Sequence, residues 1–127
     1  STYLGRVTYV DFWASWCGPC IKAMPEMIEE FSTFSDHELV FVAANQAESP
    51  EQIRRFLEAR GWADDLLVGL DHDQSVAKAF GVEGIPLVVL IDTDGRVAAV
   101  KSGYVPGSAK QLAEKARAIL ADAVRVN

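Results

Sequence analysis

Cysteine is scarce in this chain: two in 127 residues, three positions apart in "WCGPC" (Trp16–Cys20). A disulfide-stapled secreted domain carries more, at wide spacings, so that class is excluded. A bridge between these two would close a loop of about four residues and remove little unfolded-state entropy, which makes a purely structural staple a poor use of them. Histidine is equally sparse, with His37 and His72 alone. A structural zinc takes four ligands, and neither histidine stands in a ligand-like cluster. Basic residues are outnumbered, 12 against 18 acidic, for a net charge of −6. That excludes a nucleic-acid surface, which needs a basic stripe. No apolar run reaches the roughly 20 residues of a membrane span. The chain opens at Ser1 with no initiator Met and no basic-then-apolar leader. A single domain trimmed from a longer precursor is therefore expected, with any targeting segment or membrane tether lost.

What is present reads as one α/β domain spanning residues 1–127, since 127 residues can bury a full core. Strands are expected at Arg6–Ala14, Glu38–Ala44, Asp65–Leu70, Pro86–Asp92 and Arg96–Ser102. Between them lie helical patterns. Cys20, Met24, Met27, Ile28 and Phe31 recur at helical spacing from Cys17 to Phe34, with Pro25 expected to kink that helix. "SPEQ" (Ser49–Gln52) is a capping box with proline at the first helical position, and Gly61 ends the helix it opens. A short helix is expected over Asp73–Phe80, closed by Gly81. Asp94-Gly95 marks a hairpin tip. The last helix runs from Ser108 to Val124, with Leu112, Ile119 and Leu120 expected on its buried side. The order βαβαβαββα implies a central mixed, mostly parallel sheet with helices on both faces, ending in a hairpin and a helix.

In this frame Cys17 falls where a strand passes into a helix. The N–H groups and positive dipole end of a helix N-terminus favour a thiolate, so Cys17 should ionise below the usual 8.5 or so of a thiol. Thiolate is the attacking form in disulfide exchange. Cys20, one turn further in, should be more buried and hold its proton. Gly18 permits the tight entry to the helix, and Pro19 removes an N–H that would have no partner there. Trp16 offers a flat apolar surface beside the sulfur for docking a peptide. Asp64–Asp65 and Glu29–Glu30 read as solvated faces, and Trp62 as packing.

"VDFWASWCGPC" (Val10–Cys20) closely resembles the active-site segment of thioredoxins. "GVEGIPLVVLIDTDGRV" (Gly81–Val97) resembles the region around the cis-proline of that superfamily. The middle, "FVAANQAESPEQIRRFLEARG" followed by "VGLDHDQSVAKAFGV", resembles the helix-and-strand insertion of the TlpA/ResA-like group, which are extracytoplasmic, often membrane-tethered oxidoreductases. The resemblance implies a thioredoxin-like fold and a redox-active Cys17–Cys20 disulfide that exchanges with protein substrates without any other cofactor. Cys17 would attack and Cys20 resolve. Asp11 matches the buried acid beneath the second cysteine and would take its proton, the bland alternative being an acid hydrogen-bonded to backbone N–H groups. Pro86 matches the cis-proline, beside which the Ile85 backbone would pair with substrate. Pro25 matches the kink of the active-site helix.

The sequence departs from the group at Ala23, where a glutamate is frequent, at Asp11, where Asn is frequent, and at Leu87, where Thr is frequent. Ala43 stands near the place of the lysine that accompanies the acid in many thioredoxins. The active site is thus of general thioredoxin type on an extracytoplasmic chassis. A Gly-Pro pair between the cysteines resembles reducing members, so a monomeric reductase facing outward from the bacterial cytoplasm and drawing electrons from a donor protein is expected, with a cytoplasmic location as the other reading. The competing class is a non-catalytic thioredoxin-like module that docks a partner or holds a metal within a larger protein.

Overall fold

The computed structural model describes residues 5–71, 75–79 and 84–126. Five strands form one sheet: β1 (Val7–Trp13), β2 (Leu39–Gln46), β3 (Leu67–Asp71), β4 (Leu87–Ile91) and β5 (Val97–Ser102), in the order β3-β2-β1-β4-β5. Helices α1 (Gly18–Phe31), α2 (Pro50–Arg60), α3 (Ser75–Ala79) and α4 (Ser108–Val126) connect and cover them. β1 is central, and six of its seven residues are buried, so both faces of it are covered; an almost unbroken apolar run is what such a strand requires.

Register assigns the faces. Val7, Tyr9, Asp11 and Trp13 of β1 lie level with Leu39, Phe41, Ala43 and Asn45 of β2. Against that face pack α1, α4 and α2, through Ala23, Met27 and Phe31, through Ala109, Ala113 and Ala116, and through Ile53 and Leu57. Phe12, Ala44, Leu87 and Val89 turn to the opposite face, where Ala77 of α3 meets them. Helices thus lie on both faces, as expected.

The sheet is mixed as expected: β2, β3 and β5 run in the direction of β1, and β4 alone runs against them, antiparallel to both β1 and β5. Two details differ from the sequence reading. β2 continues past its apolar run through Asn45 and Gln46, because pairing with β1 extends to Trp13. On α4 the buried residues are Ala109, Ala113 and Ala116, while Leu112, Ile119 and Leu120 flank them half-buried. Small side chains let α4 approach α1 and the sheet closely, and the larger ones then fill the margins. Helix α1 runs unbroken through Pro25, which leaves the Ile21 carbonyl without its intrahelical donor.

Capping follows the sequence closely at α2. Ser49 accepts from Gln52 N–H, Gln52 accepts from Ser49 N–H, and Gly61 closes the helix at φ 74°, a left-handed conformation cheap only for glycine. The hairpin turn likewise forms at Asp92–Arg96, where the Asp92 side chain accepts from the N–H groups of Asp94 (2.9 Å) and Arg96 (3.0 Å). Asp73, Phe80 and Gly81, expected in and after the short helix, lie outside the described residues, as does His72.

The start of α4 is capped from another helix. Glu26 of α1 accepts from Gly107 N–H (3.2 Å) and Ala109 N–H (3.1 Å). A carboxylate there answers both the unpaired donors and the dipole. Glu26→Ala should lower stability by about 1–2 kcal/mol, seen in urea as a lower midpoint with an unchanged m-value.

Candidate active site

Cys17 is the N-cap residue of α1. Its backbone is extended (φ −92°, ψ 102°), and its Sγ accepts from Cys20 N–H at 3.3 Å, so a sulfur occupies the place that a serine or aspartate oxygen takes at an ordinary cap. Gly18 and Pro19 form the first turn, as expected, and both are exposed. The two cysteines are joined in a disulfide, with their Cα atoms 5.3 Å apart. Cys20 is the more buried, at 1%, but Cys17 is also covered, at 5%. The expected order of burial therefore holds, but the margin is small and both cysteines are largely covered. The surface beside it belongs to Trp16, which is 69% exposed.

Trp13, Met24, Ala43, Ile53 and Leu57 pack around the cysteines, and Ile85 borders the same cluster. Trp62 packs against its edge, in keeping with a packing role. The Ile85–Pro86 peptide bond is cis. Pro86 is buried, and its carbonyl accepts from Gly103 N–H at 2.9 Å, so the residues just ahead of β4 are tied to the end of β5.

Asp11 is fully buried in the central strand, on the face that α1 covers. Neither carboxylate oxygen has a hydrogen-bond partner among the described residues. An acid satisfied by backbone N–H groups is therefore not what the fold holds here. Its register partner on β2 is Ala43, itself part of the cysteine cluster, so the β2 position opposite supplies no cation. Burial pushes the Asp11 carboxyl up to about 7. Along the same face of β1, Tyr9 Oη and Trp13 Nε1 also lack partners. The Tyr9 phenol is held neutral well beyond the usual tyrosine range, by burial first and then by the charges of Asp11 and Glu26. One row of polar atoms thus runs under α1 beside the disulfide.

Two further carboxylates escaped the sequence reading. Glu48, 8% exposed, reaches from the end of β2 to the loop ahead of Cys17. It accepts from Ser15 N–H (2.7 Å), from the Ser15 hydroxyl, and from Asn45 Nδ2 (2.8 Å). Asp71, also buried, accepts from Val76 N–H (3.1 Å) and Ala77 N–H (3.0 Å) and so caps α3. The signal for the first was the pair Asn45 and Glu48, three apart, directly after an apolar strand. The capping box at Ser49 accounted for that stretch without it. Among the described residues no group of three or more His, Cys, Asp and Glu side chains could hold a metal, and no helix is long and apolar enough to cross a membrane.

A disulfide between the N-cap and the first turn of a helix, beside a cis-proline loop and above a buried acid on a five-stranded mixed sheet, defines a thioredoxin-fold protein with a CxxC centre. The solved structures agree. A putative thiol:disulfide interchange protein DsbE from Chlorobium tepidum superposes with a TM-score of 0.82 at 30% identity, covering 94% of this chain and 83% of that one. StoA from Bacillus subtilis gives 0.73 at 28% identity, over 87% and 82% of the two chains. The Redoxin family model matches residues 1–118, and the chain belongs to that family. In sequence it is 32% identical over 104 residues to the thiol-disulfide oxidoreductase ResA of Bacillus subtilis (strain 168), across 82% of this chain. It spans 57% of that relative's length, and the same share of a ResA from Geobacillus thermodenitrificans at 30% identity.

Proposed function

We propose that this domain is a protein thiol–disulfide oxidoreductase acting as a reductase. The observation that carries the reading is the Cys17–Cys20 disulfide at the N-terminus of α1, with Asp11 buried beneath the same helix. In the reduced form the Cys17 thiolate attacks one sulfur of a substrate disulfide. That bond breaks, a Cys17–substrate disulfide forms, and the other substrate sulfur leaves as a thiol after taking up a proton. Asp11, ionised, takes the Cys20 proton, and the Cys20 thiolate attacks Cys17 Sγ. The second substrate thiol departs and the Cys17–Cys20 disulfide remains. Two electrons have passed from the dithiol to the substrate, so no further cofactor takes part.

Trp16, Gly18 and Pro19 form the exposed surface on which a substrate would lie, with the Ile85 backbone beside it, set by the cis bond to Pro86, to pair with an extended stretch of substrate. The substrates are proteins, and an electron-donor protein must regenerate the dithiol. On its likeness to ResA and to the TlpA/ResA-like insertion we place the domain outside the cytoplasm, as a monomer carried by a membrane tether. A closed disulfide at a helix N-terminus favours this reading over that of a non-catalytic partner-binding or metal-holding module.

Reduction of insulin with dithiothreitol as electron source tests the activity: accelerated precipitation of the insulin B chain is expected, and a rate equal to dithiothreitol alone would refute it. Equilibration with glutathione tests the direction. A potential near the −270 mV or so of thioredoxin marks a reductase, whereas one near the −120 mV or so of a strong oxidant would reverse the assignment.

A further inference from the structure

Glu48 is remote from the cysteines in sequence, yet its carboxylate holds the turn that presents them. Cys17 N–H donates to the Ala14 carbonyl at 3.2 Å, closing a turn whose inner residues are Ser15 and Trp16. Ser15 gives both its N–H and its hydroxyl to Glu48. Asn45 fixes the acid from the other side, donating to its carboxylate (2.8 Å) and accepting its backbone N–H (3.1 Å). Ala47, just before it, sits at φ 66°, a left-handed conformation that an alanine adopts at a cost and that the surroundings must impose. Its N–H donates to the Asp71 carbonyl at 3.3 Å, which anchors the bend to β3. Burial by itself would raise the Glu48 pKa; the donors from Asn45 and Ser15 outweigh it and hold the group below the usual carboxylate range. A carboxylate charge therefore persists against the turn that carries the nucleophile, bonded to Ser15 two residues ahead of Cys17, with no cation bonded to it among the described residues.

We propose that Glu48 is a positioning residue with two separable effects: its hydrogen bonds fix the Ala14–Cys17 turn, and its negative charge disfavours the Cys17 thiolate, making the dithiol more reducing. The inference deepens the oxidoreductase reading and rests on it. Other carboxylates near the site act elsewhere: Asp71 is engaged at α3, and Asp11 lies under α1. Neither touches Ser15.

The test compares wild type with Glu48→Gln and Glu48→Ala. Glutamine keeps an acceptor for Ser15 N–H and removes the charge; alanine removes both. In Glu48→Gln the equilibrium of the disulfide with two glutathiones should move toward dithiol and oxidised glutathione by about three- to tenfold, as expected for one charge at short range in a protein medium. Cys17 should ionise at a pH lower by about half a unit to one unit, followed by thiolate absorbance at 240 nm. Glu48→Ala should show the same shift, and in addition a second-order rate with insulin about tenfold below that of Glu48→Gln, because the turn is no longer held. A Glu48→Gln equilibrium and ionisation equal to wild type would overturn the electrostatic half. Equal rates for the two variants would overturn the positioning half. If Glu48→Ala does not fold, Ser15→Ala, which removes one of the bonds, replaces it in the rate comparison. Should wild type fail to reduce insulin, the oxidoreductase reading falls, while the glutathione equilibrium and the thiolate titration still decide the electrostatic half.

Discussion

Cys17→Ser is expected to abolish insulin reduction, by at least about a thousandfold, to the rate of dithiothreitol alone. A serine hydroxyl is not ionised near neutral pH and forms no disulfide, so the first step has no nucleophile. Cys20→Ser should behave differently. The attack survives and the resolving step does not, so a Cys17–substrate disulfide should accumulate and appear by mass spectrometry as a covalent adduct lost on adding reductant. If Cys17→Ser kept measurable turnover, or if Cys20→Ser formed no adduct while Cys20 could be trapped with substrate in its place, the assigned roles would be reversed or wrong. Stability should change little in either variant, since the loop that the disulfide closes is short.

Asp11→Asn should raise stability and slow catalysis at once. The carboxyl ionises near the usual 3.8 in the unfolded chain and at about 7 in the fold. Between those values the native state retains a proton that the unfolded state has lost, so stability falls as pH rises from about 4 to about 7 and is level above. Integrated over that window the effect is about 4 kcal/mol at most. Asparagine has no such penalty. The variant should match wild type near pH 4, exceed it increasingly up to about pH 7 and keep that margin at pH 8, by somewhat less than the ceiling because a buried amide also lacks partners. Urea unfolding at a series of pH values reads this directly. The same change removes the base that takes the Cys20 proton, and turnover near pH 7 should drop by about 100-fold. The deficit should shrink as pH rises and Cys20 ionises unaided. A variant no more stable than wild type at pH 8 would mean that Asp11 is not the buried, unpartnered group described above.

The cysteine motif was legible because its meaning is local. Glycine and proline between two cysteines, straight after an apolar strand, specify a tight helix entry with a sulfur at its mouth, and Cys17 caps α1 accordingly. The α2 caps and the Asp94-Gly95 turn were readable for the same reason: each is set by backbone preferences within a few residues. Asp11 and Pro86 were located through family likeness, since nothing in the spacing of one acid in a strand announces that its oxygens will find no partner. Glu48 was missed altogether. Its contact with Ser15 spans 33 residues, and a glutamate ahead of a capping box looks like any exposed acid until β2 is seen to lie against β1.

By itself the chain determined its element order, its helix caps and the place of its sulfur chemistry, because hydrophobic period and turn residues act over short range. Tertiary structure alone decided that β4 also runs antiparallel to β1, which face of α4 is buried, and which carboxylates stand beside the disulfide. Those outcomes depend on packing between segments far apart in sequence, where burial strips a carboxyl of water and only the neighbours that the fold supplies settle whether it keeps its charge.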